Sequence, residues 1–191
     1  MRKIGLYGGS FDPVHCGHLL VARAACEELA LERLFFVPAA QSPFKPSATP
    51  APAPARVRLL RLALSGETQI ELDLQELERA GTSYTIDTVR VYAKRFPDAR
   101  LFYLIGADHV ASLPQWRESR ELAERAEFVV IPRPGETAQP LPTPFRGQCL
   151  RGFPLGVSSS QIRERIRNHL SIRGLVPEPV REAIENSGLY L

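Results

Sequence analysis

Four short apolar runs constrain this chain most: KIGLY at 3–7, LFFV at 34–37, LFYLI at 101–105 and FVVI at 128–131. Each ends at a glycine or proline, namely Gly8, Pro38, Gly106 and Pro132. A strand that is apolar without alternation is buried on both faces, which is the habit of parallel sheets covered by helices. Between the first two runs, Leu19, Ala22, Ala25, Cys26 and Leu29 recur at helical spacing. Strand, helix and strand thus fall within the first 38 residues as a βαβ unit. The chain therefore predicts an α/β fold, a doubly wound parallel sheet with helices on both faces. Further helices are expected at 56–64, 83–96, ending at 122–126, near 159–169 and at 178–186, with a strand at 70–74. Residues 42–55, SPFKPSATPAPAPA, predict a mobile loop with polyproline character. Residues 132–154 are rich in Pro and Gly and predict no element.

A length of 191 residues suits one domain, 1–191, and buries roughly 70% of the unfolded surface. No apolar run is long enough to span a bilayer. MRKIGLYGG has no signal-peptide core, so the cytoplasm is the expected compartment, with no membrane partner. Cys16, Cys26 and Cys149 are odd in number and form no CxxC, which argues against a disulfide scaffold. The net charge of +3 is modest and the basic residues form no dense run. No nucleic-acid partner is expected. The oligomeric state is left open.

Ligands of open parallel sheets lie beyond the carboxyl ends of the strands. That rule puts 8–18, 38–46, 106–116 and the loop before 158 on one rim. The first of these reads GGSFDPVHCGH. Gly8 and Gly9 permit close backbone approach and positive φ. A helix starting near residue 16 would aim its amides and dipole at the same space, which suits phosphate. His15 and His18, three apart, can share a face and donate hydrogen bonds to a phosphoryl group as charge develops. The plainer readings are a simple turn for the glycines and, for Asp12-Pro13, a turn in which Asp12 bonds local amides. Zinc is not expected, because His15-Cys16-Gly17-His18 lacks the usual ligand spacing and has no second ligand pair. A second anion site is plausible at SSSQIRERIR, 158–167. Serines cap a helix there, Ser159 and Arg163 share a face, and Ile162 and Ile166 should pack inward. Arg165, Arg167 and His169 read as surface residues.

GGSFDPVHCGH resembles the signature G-[ST]-F-D-P-x-H-x-G-H of the bacterial nucleotidyltransferases with an H-x-G-H motif, and every fixed position is present. The resemblance implies a Rossmann-like fold and transfer of AMP or CMP from a nucleoside triphosphate with release of pyrophosphate. V-S-S-S-Q-I-R at 157–163 is similar to the family's I-S-S-[ST]-x-x-R element, with Val157 for Ile. That implies β- and γ-phosphate contacts from Ser158, Ser159 and Arg163, with the helical part from about 155 to 191 completing the ATP site.

SYTIDT at 83–88, LIGADHVASLPQW at 104–116 and the ending VPEPVREAIENSGLYL resemble the nicotinate-nucleotide adenylyltransferase branch. This implies ATP and nicotinate mononucleotide as substrates and nicotinate adenine dinucleotide as product. His15, His18, Lys45 and Arg163 would be catalytic. Gly8, Gly9, Ser10 and Phe11 would join His18 around ATP, with Gly106 and Asp108 at a ribose. Ser83, Tyr84, Thr85 and Trp116 would hold the pyridine nucleotide. Thr85 fits as an N-cap with Asp87 in the first turn, and amides there can receive the nicotinate carboxylate. Trp116 can stack on a pyridine ring or, read plainly, anchor the core. His109 has no assigned part. The family's P-x-H-K or P-H-K appears as Pro43-Phe44-Lys45, so Phe44 replaces a histidine. Mg²⁺ is expected on the ATP phosphates, since the motif offers no carboxylate cluster. Nicotinamide mononucleotide or phosphopantetheine as substrate, and a non-catalytic ATP-binding regulator, stay as alternatives.

Overall fold

The computed structural model describes residues 1–43, 49–132, 135, 139–152 and 155–191. In chain order its elements are β1 (Arg2–Gly9), α1 (Cys16–Leu29), β2 (Arg33–Pro38), α2 (Ala53–Ala63), β3 (Ile70–Leu72), α3 (Gln75–Arg79) and α4 (Thr85–Arg95). There follow β4 (Ala99–Gly106), a 3₁₀ segment over Ala107–Gln115, α5 (Ser119–Arg125), β5 (Glu127–Ile131), β6 (Gly147–Cys149), α6 (Ser159–Arg167) and α7 (Glu178–Ser187). All six strands are parallel, in the order β3-β2-β1-β4-β5-β6. This is the Rossmann-like doubly wound sheet, whose strand order reverses between β1 and β4.

The apolar runs are buried on both faces as expected. Ile4 and Leu6 of β1 pack with Val89 and Tyr92 of α4 and Leu122 of α5. On the other face Tyr7 and Phe36 pack with Leu59 and Leu60 of α2, Ile162 of α6 and Ile184 of α7. The two C-terminal helices therefore cover the same sheet face as α1 and α2.

Several boundaries differ from expectation. The Pro/Ala-rich stretch becomes helical at Ala53, because Pro54 in the first turn gives up only an amide that lacks an intrahelical partner anyway. Its preceding part is tied down, since the Ala51 amide donates to Asp12 and the Ala51 carbonyl accepts from Arg56. Residues 44–48 lie outside the described residues. The strand at 70 is only three residues long. The unpatterned 132–154 segment contains β6, a three-residue edge strand whose exposure leaves no apolar run to read. The helix after SYTIDT is N-capped by Tyr84, not Thr85, which is already the first helical residue, while Asp87 does lie in the first turn.

Candidate active site

At the point where the sheet order reverses, a cleft of about 710 Å³ opens beyond the ends of β1 and β4. Its floor is the opening motif. The final glycines of β1 are not in left-handed backbone, contrary to one use expected of them. They leave room for neighbouring side chains instead. A Cβ on Gly8 would come within 2.3 Å of the Tyr103 hydroxyl, and one on Gly9 within 3.1 Å of the Phe11 ring. The strained residue is Phe11 itself, at φ 46°. Gly17 is a second close approach, where a Cβ would meet Val157 at 2.9 Å and the His15 ring at 3.1 Å. The glycine of the motif thus lets the loop before α6 lie against α1.

His15 is the N-cap of α1 and His18 its third residue. Their rings stack, with centroids 3.6 Å apart. The His15 backbone amide donates to Nδ1 of His18 at 3.2 Å. In the neutral ring the His18 proton therefore sits on Nε2. Nδ1 of His15 is buried without a hydrogen-bond partner. Burial lowers His15 to about 4. Burial, and after it the nearby His15, hold His18 well below the usual imidazole range. Burial thus favours the neutral form of both imidazoles at the start of α1, and an anion beside them would raise their basicity.

The Ser/Arg segment at 158–167 reaches this floor from a distant part of the chain. Ser158 caps α6 in a reciprocal box with Gln161. Ser159 Oγ donates to the Pro13 carbonyl at 2.8 Å. Arg163 Nη1 donates to the Asp12 carbonyl at 2.6 Å and lies 3.7 Å from Oδ2 of Asp12. Ile162 and Ile166 pack inward. Arg165 and Arg167 do not merely trail in solvent, since each donates to a backbone carbonyl.

On the β4 side, Gly106 ends the strand, and Asp108 and His109 open the 3₁₀ segment on the cleft wall. Trp116 is partly buried against the second core cluster, as the plainer reading expected, and it also lines the cleft. Its Nε1 donates to Ser112 Oγ at 3.2 Å. Ser83 is buried and fastens the loop after β2 by accepting from the Ala40 amide at 3.0 Å. Thr85 Oγ1 donates to the Tyr103 hydroxyl at 3.4 Å. Asp87 would oppose a carboxylate at the α4 start, but Arg90 and Arg117 lie 3.8 and 4.0 Å from it.

The fold thus gathers Gly8, Gly9, Ser10, Phe11, His15 and His18 with Ser83, Thr85, Gly106, Asp108, Trp116, Ser158, Ser159 and Arg163 on one cleft. The Tyr84 side chain is not on that lining; its ring sits beneath the Arg117 guanidinium, 4.7 Å away. Lys45 and Phe44 lie outside the described residues.

Two buried groups in and beside the cleft escaped the sequence reading, and a third, Asp12, has other partners than that reading gave it. Arg56 is only 1% exposed and donates to the carbonyls of Ser10, Ala39 and Ala51. Its spacing from Leu59 and Leu60 placed it on an apolar helix face, the one signal available. Glu76 is buried on the cleft lining and bonded by Thr88, and its burial raises its pKa. Asp12 does not bond its local amides; it accepts from Ala51 and from Tyr190, 39 and 178 residues away.

A doubly wound sheet with a stacked histidine pair at a helix start at its switch point, and a capped Ser/Arg helix on the same cleft, defines a protein of the nucleotidyltransferase class. The chain belongs to the cytidylyltransferase-like family, matched over residues 6–165, and within it to the family of the nicotinate-nucleotide adenylyltransferases. It is 42% identical over 190 residues to the probable nicotinate-nucleotide adenylyltransferase of Geobacillus kaustophilus, covering 100% of this chain and 87% of that protein. It is 41% identical over 188 residues to the one of Thermus thermophilus, covering 98% and 99%. In fold it resembles the Plasmodium falciparum nicotinic acid mononucleotide adenylyltransferase solved with NaAD, with a TM-score of 0.80 at 17% identity, covering 100% of this chain and 98% of that one.

Proposed function

We propose that the protein transfers the adenylyl group of ATP to nicotinate mononucleotide, giving nicotinate adenine dinucleotide and pyrophosphate. The observation that carries this reading is the stacked His15–His18 pair at the α1 start, which lines one cleft together with Ser158, Ser159 and Arg163. A phosphate oxygen of the mononucleotide attacks the ATP α-phosphorus, and the bond to the β-phosphate oxygen breaks. The attacking phosphate is already an anion, so no protein base is required, and catalysis is positioning and charge stabilisation. His18 donates from Nε2, and His15 from whichever nitrogen carries its proton, to the reacting phosphates. Ser10 and adjacent amides hold the α-phosphate. Arg163, Ser158 and Ser159 take the departing pyrophosphate, with Lys45 as a further cation. The C-terminal helical part, from about 155, completes this half of the site. Gly106 and Asp108 hold a ribose, while Ser83, Tyr84, Thr85 and Trp116 frame the pyridine end, Tyr84 through its backbone at the α4 start.

Among the described residues no group of three or more His, Cys, Asp or Glu is placed to hold a metal. Mg²⁺ brought in on the ATP phosphates would neutralise part of their charge. Among the described residues no helix is long and apolar enough to cross a membrane. Two soluble nucleotide substrates suit an enzyme of the cytoplasm.

The test is pyrophosphate release with ATP and Mg²⁺, offering nicotinate mononucleotide, nicotinamide mononucleotide and phosphopantetheine in separate reactions. Preference for the nicotinate form is expected. Equal use of both mononucleotides would remove the role given to the α4 start, and turnover with phosphopantetheine alone would overturn the substrate assignment.

A further inference from the structure

Asp12 is the hinge between the two phosphate elements, and the last turn of the chain holds it. Asp12 as a residue is 6% exposed. Oδ1 accepts from the Tyr190 hydroxyl at 2.7 Å and from the Ala51 amide at 3.2 Å. Oδ2 is left toward Nη1 of Arg163, 3.7 Å away, and that same nitrogen donates to the Asp12 carbonyl. Two donors on one oxygen set the plane of the carboxylate, so the direction offered to Arg163 is set as well. Tyr190 reaches this position at a conformational cost. Its φ of 76° is left-handed, a region that bulky residues enter only where their surroundings over-determine it. Both Leu189 and Tyr190 line the cleft. Burial beside Asp12 pushes the Tyr190 pKa up, so its hydroxyl keeps the proton that it donates.

We propose that Tyr190, next to the end of the chain, is a positioning residue for the triphosphate: its hydroxyl orients Asp12, and Asp12 holds Arg163 at the cleft before ATP arrives. An arginine restrained in this way loses less freedom on binding, so affinity falls when the restraint is removed. The inference rests on the adenylyltransferase reading for the identity of the nucleotide and for Arg163 as a triphosphate contact.

Tyr190→Phe removes the hydroxyl and keeps the ring. Three readouts are needed: calorimetric binding of a non-hydrolysable ATP analogue with Mg²⁺, pyrophosphate release with each substrate varied, and thermal unfolding. Losing one hydrogen bond to a charged group predicts analogue affinity and kcat/KM for ATP lower by about 10–150-fold. KM for nicotinate mononucleotide should stay within about twofold and Tm within a few degrees, because the pyridine end is built from other elements. In an Asp12→Asn background the same substitution should add little, since both act through one carboxylate. Unchanged ATP affinity, an equal loss for both substrates, or full additivity with Asp12→Asn would each overturn the proposal. If the unsubstituted protein binds the analogue but turns over no substrate, the functional reading fails alone, and the analogue affinity of Tyr190→Phe still decides the positioning role. If it binds no analogue, both fail.

Discussion

His15 and His18 carry the sharpest residue-scale consequences. Removing a preorganised donor at a reacting phosphate costs on the order of 10²–10³ in rate. His18→Ala is therefore expected to lower kcat in that range while Tm moves little. A matched fall in Tm with kcat intact would reduce His18 to a packing residue against Phe11 and Tyr7. His15 also makes folding pH-dependent. Its folded pKa of about 4 lies below the unfolded value of 6.5, so between them the unfolded chain binds more protons and stability falls as pH falls. At pH 5 this amounts to about 2 kcal/mol. His15→Asn should lessen the decline in Tm between pH 7.5 and 5 without abolishing it, because His18, also held below its usual range by burial, still contributes. An identical decline in the variant would place the acid sensitivity elsewhere.

At the scale of elements, β1 and β4 are neighbours at the switch point, and their contact is specific. Gly8 is where the Tyr103 hydroxyl of β4 passes over β1. Gly8→Ala forces overpacking and is expected to cost about 1–3 kcal/mol in denaturant unfolding. Adding Tyr103→Phe removes the closest atom and should recover part of that loss. A double variant no better than Gly8→Ala would mean that the methyl clashes with something other than the hydroxyl. The double glycine was legible as a close approach, but what approaches from the protein side was not. The reason is register: Tyr103 pairs with Leu6, two residues from Gly8, across strands almost a hundred residues apart in sequence.

Across the whole molecule, buried Arg56 gathers the loops after β1, after β2 and before α2. Arg56→Met keeps much of the volume but strands three carbonyls and takes a cation from beside buried Asp12. A loss of about 3–5 kcal/mol is expected, as for breaking a buried charged network. Chemical denaturation measures it; a change below about 1 kcal/mol would show that water replaces the guanidinium.

The sequence alone determined the parallel sheet, its helices, the rim that holds the site and the His and Ser/Arg motifs. Those features are written locally: unbroken apolar runs, helical spacing, caps, and glycine or proline stops all act within a few neighbouring residues. The tertiary structure alone decided that Asp12 serves Tyr190, Ala51 and Arg163 rather than its own turn. It alone decided that Glu76 is buried on the cleft lining and Arg56 behind the loops that form it, and that Tyr190 reaches the loop after β1. Those partners are separated by tens to nearly two hundred residues. No local periodicity encodes such pairs, because a buried polar group finds its hydrogen bonds only where distant segments close around it.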